Sequence, residues 1–162
     1  MRLFFLFFLT VFSLGAWAQS EADLSPQWEV GLLAGKLLPS QVSGLEEIMS
    51  LGGVHLGYRL APMVYTQGNI HLGNGEGQKW KSLSAGLRMD QPMADFLISG
   101  SAAIQSSLIT GPKTKEKNVW GVVFGGSLMA SIAGPAWLKM DMDFGFGPGT
   151  TLFLSLGLLA RF

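Results

Sequence analysis

The 162-residue chain carries 11 basic and 11 acidic side chains and no net charge, so it presents no electrostatic footprint for nucleic acid or for a strongly acidic partner. Cysteine is absent, which excludes disulfide staples, thiolate metal centres and cysteine nucleophiles. Mean hydropathy is positive at +0.35, yet beyond the N-terminal segment no apolar run is long enough for a spanning helix.

The first stretch, MRLFFLFFLTVFSLGAWAQS, places Arg2 before an unbroken apolar run and ends on Ala16-Trp17-Ala18. A basic start, an apolar centre and a small-x-small site describe a cleaved signal peptide over residues 1–18. Its removal leaves 10 basic and 11 acidic residues, still close to neutral. Residues 19–26 read as a short periplasmic segment, and 27–162 as one domain. An exported, apolar chain without membrane helices has one other way to occupy lipid, which is to close a β-barrel.

In chain order the alternation predicts strands near 27–36, 51–61, 64–73, 79–90, 94–107, 118–132, 136–146 and 151–162. Each is about as long as a tilted strand needs to cross a bilayer. In KMDMDFGFG, residues Lys139, Asp141, Asp143 and Gly145 share one face, and Met140, Met142 and Phe144 the other. That division suits a polar lumen with lipid outside. A soluble sandwich has the same period around a dry core; the signal peptide and the strand count favour the barrel. The connections alternate in kind. LAPMV, DQPMAD and IAGPA are short and carry Pro62, Pro92 and Pro135, which suit turns because Pro fixes φ and cannot donate to a ladder. KLLPSQVSGLEEIMS, GNGEGQ, TGPKTKEKN and GPGT are generally longer and polar or Gly-rich. An up-and-down barrel with an even strand count keeps short turns and both termini in the periplasm and longer loops outside.

The chain closes on TLFLSLGLLARF, with Leu at 152, 154, 156 and 158 and Phe162 last. Together with the strand count and loop rhythm, this resembles the small eight-stranded outer-membrane barrels of the OmpA/OmpX type, without a periplasmic domain. The resemblance implies an all-β, antiparallel, transmembrane barrel in the outer membrane of a Gram-negative bacterium, and a monomer. It also implies that Phe162 is read by the barrel-assembly machinery, and that outer-membrane lipids and lipopolysaccharide are the surroundings. No enzyme activity or cofactor follows from it.

By parity Trp28 and Trp120 point outward, as an interfacial girdle requires, whereas Trp80 and Trp137 point inward. The inward face also carries Glu29, Arg59, Arg88, Asp95, Lys139, Asp141, Asp143 and Arg161, whose charges cancel. A tight hairpin at Gln91-Pro92 predicts an Arg88–Asp95 pair, and the meeting of first and last strands predicts Glu29 beside Arg161. Such a barrel is just wide enough for its own side chains, and buried charges there must pair. His55 and His71 share the inward face; a register centred on Met63 sets them opposite one another, within reach of a metal or of general-base chemistry. They lack a third ligand, and no motif places a nucleophile, so no metal is expected. Leu37, Leu38, Leu45, Ile48 and Met49 read as part of a first loop: a short helical lid over the mouth, an apolar entry for a hydrophobic ligand, or, favoured over both, packing against the rim. Lys113, Lys115 and Lys117 read as a solvated loop, in weak contact with lipopolysaccharide phosphates. The function expected is a small outer-membrane barrel with an ion-paired polar lumen and a structural or surface role. The alternatives are a narrow channel for small or hydrophobic solutes, and a lipid A-modifying enzyme using the histidines.

Overall fold

The computed structural model describes residues 28–42, 48–111, 114–147 and 149–162, without the side chains of 114 and 115. The expected signal peptide and N-terminal segment, Leu45 and Lys113 lie outside the described residues, as does the side chain of Lys115. Eight strands are present: β1 (Trp28–Ser40), β2 (Met49–Ala61), β3 (Val64–Gly75), β4 (Gln78–Met93), β5 (Phe96–Gly111), β6 (Thr114–Ala133), β7 (Ala136–Phe146) and β8 (Thr150–Arg161). Each pairs antiparallel with its neighbours in sequence, and β1 pairs with β8, so the sheet closes into a barrel. Every predicted strand is found, and most run further toward the loop end than their alternation suggested.

The stagger follows from the pairing. From Lys36 the row of partners passes through Ser50, Asn74 and Lys79 to Thr110 on β5. In the other direction it passes through Leu154, Met142 and Gly126 to Gly100 on the same strand. The two arrivals, 110 and 100, differ by ten residues. A shear of that size on eight strands tilts them by roughly 40° and leaves an interior that side chains fill.

Alternation decides the two faces. Leu154, Leu156 and Leu158 of β8 are exposed, at 41%, 51% and 60%, while Phe153 and Leu159 on either side of them are buried. The same holds for Met140 and Met142 against Lys139 and Asp141 on β7. Large apolar groups therefore cover the outside, and the charged groups of these two strands face in, the reverse of a soluble sandwich. Trp28 and Trp120 are exposed, Trp80 is buried, and Trp137 is half-buried, as the parity predicts. Phe162 continues the seam: Trp28 N donates to Phe162 O at 2.7 Å, and Phe162 N to Trp28 O at 3.0 Å.

Two turns differ from expectation. The β4–β5 hairpin does not turn at Gln91-Pro92; its last pair is Met93 with Phe96, and Ala94 takes a left-handed φ of 53°. Pro92 stands opposite Leu97 near the end of the ladder, a position where its missing N–H is tolerated. In the β2–β3 hairpin an irregularity between Arg59 and Ala61 moves the register, with Met63 at φ 62° in the turn. The first loop is also shorter than predicted, because Leu37 and Met49 are partners in the β1–β2 ladder.

Candidate functional site in the lumen

The lumen fills in three layers. At the end where β1 begins and β8 finishes, which also holds the short turns, Glu29 is fully buried. Arg88 Nη2 and Arg161 Nε each approach its carboxylate to 2.8 Å, and His55 Nε2 lies 3.4 Å away. Arg88 Nε also donates to Asp90 Oδ1 at 2.7 Å, and Ser99 Oγ donates to the same oxygen at 2.9 Å. Arg161 Nη2 lies 3.5 Å from Asp90 Oδ2 and donates to the Tyr65 hydroxyl. The Tyr65 ring receives both guanidinium groups, centred 4.5 Å and 5.1 Å from its centroid, and Arg161 also lies over Trp137. One network thus ties together side chains from β1, β2, β3, β4, β5, β7 and β8. Two arginines meet two carboxylates, which is how a narrow, water-poor interior can hold charge.

Gly57 makes room for this arrangement. A Cβ there would stand 2.7 Å from Glu29 Oε2, so only glycine leaves the carboxylate its place.

In the middle layer His55 Nδ1 is 2.7 Å from Asn69 Oδ1, and Asn69 Nδ2 donates to Ser84 at 3.4 Å. Lys139 Nζ pairs with Asp141 Oδ1 at 3.0 Å. A small polar pocket, large enough for about one water, is lined by Gln67, Asn69, His71, Ser101, Ser127, Lys139, Asp141 and Asp143, with Leu33. Gln67 Oε1 and His71 Nδ1 have no protein hydrogen-bond partner there.

The top layer, at the loop end, is apolar. Leu37, Val42, Met49, Leu51, Trp80, Ile109 and Phe153 pack as one buried cluster. The Trp80 and Phe153 rings are 5.1 Å apart, and His71 lies under both, stacked at 6.3 Å and 5.9 Å.

The geometry corrects two predicted pairings. Asp95 is not in the lumen cluster: it is exposed, in the turn, because β4 and β5 run on past Pro92 and set Arg88 opposite Ser101. Asp90 takes its place. It shares Arg88's face two residues on, a parity signal present in the sequence and overshadowed by the hairpin argument. His55 and His71 are not opposite: His55 faces Asn69, and His71 faces Gly53, since the irregularity at Arg59/Ala61 shifts the register. Glu29 and Arg161 are direct partners, as predicted. Lys139 and Asp141 are buried, Arg59 and Asp143 half-buried. The apolar layer has no clear signal in the sequence, because Leu37 and Met49 fall in a stretch that reads as loop. Among the described residues no three His, Asp or Glu side chains converge as a metal site.

No family model matches the chain, and no curated protein matches it. Solved structures do resemble it. Neisserial surface protein A (NspA) superposes with a TM-score of 0.63 at 11% identity, over 87% of this chain and all of that one. The N-terminal β-barrel domain of Pseudomonas aeruginosa OprF gives 0.59 at 16%, over 85% and 100%. Ail, the attachment invasion locus protein of Yersinia pestis, gives 0.58 at 9%, over 87% and 100%. The fold is therefore that of the small eight-stranded outer-membrane barrels.

Proposed function

We propose that this chain is an outer-membrane β-barrel whose lumen is sealed, with a structural or cell-surface role and neither a conduction path nor an active site. The observation that carries the reading is closure by two chemically different barriers. The Glu29–Arg88–Asp90–Arg161 network spans one end, and the Trp80–Phe153 cluster fills the other. Ions entering from the loop side would lose their hydration against apolar side chains, and those from the other side would have to break buried ion pairs. His55 is held between Asn69 and Glu29 inside this packing, which argues against lipid chemistry at an open rim. The similar barrel of Ail, whose name speaks of attachment and invasion, supports a surface role. Termini and short turns then lie in the periplasm, with Phe162 presented to the assembly machinery.

Planar-bilayer recording of the purified protein tests this. Little or no steady current is expected, and large stable wild-type channels would overturn it in favour of a narrow conduit. A lipid A species that depends on the protein and disappears with His71→Gln would overturn the non-enzymatic reading.

A further inference from the structure

The outward face is apolar over most of its area, and one row interrupts it. Lys36, Ser50, Asn74, Lys79 and Thr110 are successive cross-strand partners on β1 to β5, and all five are exposed. Lys81, two residues below Lys79 on the same face, is also exposed, although its partners are Leu72 and Leu108. A cation flanked by leucines on a lipid-facing wall is costly near the bilayer centre and nearly free at the interface.

The stagger places it. Trp28, an outward aromatic at the opposite boundary, lies on the row Tyr58, Thr66 and Leu87. The tilt lifts that row about 3 Å per strand. Lys81, six residues beyond Leu87, then stands roughly 25 Å above Trp28, the height of a barrel's apolar band. Lys79 rises above it, about 7 Å along the strand. Lys36 lies lower and can reach upward by its long stem.

Among the described residues the charge on this side has no ion-pair partner. Lys36 Nζ donates to Ser50 Oγ at 3.0 Å. Among the described residues, the ion pairs all lie in the lumen and none engages Lys36, Lys79 or Lys81. Among the described residues the carboxylates near this rim are Glu76 in the β3–β4 turn and Glu116 on β6, and neither forms such a pair; Glu46 and Glu47 lie outside the described residues. Below the lysines the wall is apolar, with Leu72 at 57%, Leu83 at 59% and Ile104 at 62% exposure.

We propose that Lys79 and Lys81, with Asn74 beside them, bind the phosphate of an outer-leaflet lipid, whose acyl chains lie on the apolar wall of β3–β5. Complementarity decides the occupant: two ammonium groups with no ion-pair partner among the described residues stand at headgroup height directly above a surface suited to hydrocarbon. A soluble anion would use the first feature and not the second. The inference rests on the outer-membrane orientation proposed above.

The test uses the full mature chain in phosphatidylcholine vesicles doped with bisphosphorylated lipid A, followed by native mass spectrometry of the lipid retained. Wild type should keep the phosphorylated lipid over its dephosphorylated form. Lys79→Gln/Lys81→Gln should reduce that preference by roughly thirtyfold, as expected for two lysines near anionic lipid, and Lys79→Arg/Lys81→Arg should retain it. Equal retention by the Gln variant, or full displacement by inorganic phosphate, would overturn the site while leaving the barrel reading intact. Failure of wild type to insert, seen as absent heat-modifiable migration, would sink both.

Discussion

The cation on Glu29's own strand, Lys36, is exposed on the outer face; the partners of Glu29 arrive from β4 and β8. Removing one partner of a buried pair leaves the other uncompensated, which typically costs about 3–5 kcal/mol. Arg88→Ala should therefore destabilise the barrel by that order in urea titration. Arg88→Ala/Asp90→Ala removes a pair and leaves Glu29 with Arg161, so it should cost less than the two single changes summed; strict additivity would show that the network is not coupled. Gly57→Val should act through the same carboxylate, by pushing it from its guanidinium partners. The residue scale is also where sequence reasoning was least complete. Glu29–Arg161 was legible because the closure of an eight-stranded barrel fixes which strands meet. Arg88's partner was not, because it depends on where a hairpin turns, and a turn displaced by a few residues exchanges Asp95 for Asp90.

Strands were legible as elements because period-two alternation reports the faces directly. Their ends were not: Leu37 and Met49 look like loop until the β1–β2 ladder is seen to continue past Lys36. Prolines misled at Pro92, which tolerates a ladder end as well as a turn. The true turn residue, Ala94, holds a left-handed φ of 53°, which costs an L-residue roughly 1–2 kcal/mol. Ala94→Gly should relieve part of this, less glycine's extra entropy in the unfolded chain. A net gain of a few tenths to about 1 kcal/mol in the urea midpoint is expected, and a loss would indicate that the turn relaxes in the membrane. On β8 the faces can be tested in pairs. Leu156→Arg puts a charge near mid-membrane and should cost about 2–4 kcal/mol. A lipid-confined quencher should reach a probe at 156 far better than one at 155, where Ser155 Oγ donates to Asp141 inside.

For the whole molecule, the two barriers act in series, and weakening one should not suffice for conduction. Trp80→Ala/Phe153→Ala empties much of the apolar layer while the ion network remains. Its bilayer current should stay far below that of the same variant carrying Arg88→Ala/Asp90→Ala as well. Equal currents from the two would mean that a single layer controls access. The architecture as a whole was legible from strand count, alternation and the division of loops into two kinds. The layered lumen was only half legible, since a polar face announces itself in a strand and an apolar layer at its far end resembles ordinary loop packing.

The pairing of Trp28–Ser40 with Thr150–Arg161 also has a consequence in time. The seam joins segments more than a hundred residues apart, so forming it carries the largest loop-closure entropy in the molecule. Glu29 and Arg161 face each other across that seam, and Arg161 in turn reaches Tyr65 and Asp90. Their attraction is therefore realised only at the last step of closure, and it is the first thing an opening barrel must give up inside hydrocarbon. Contacts formed after the transition state slow unfolding without accelerating folding. Loss of Arg161 should then shorten the lifetime of the folded protein far more than it changes the rate at which the protein folds, so persistence in the membrane is held in a seam that assembly itself does not need until the end.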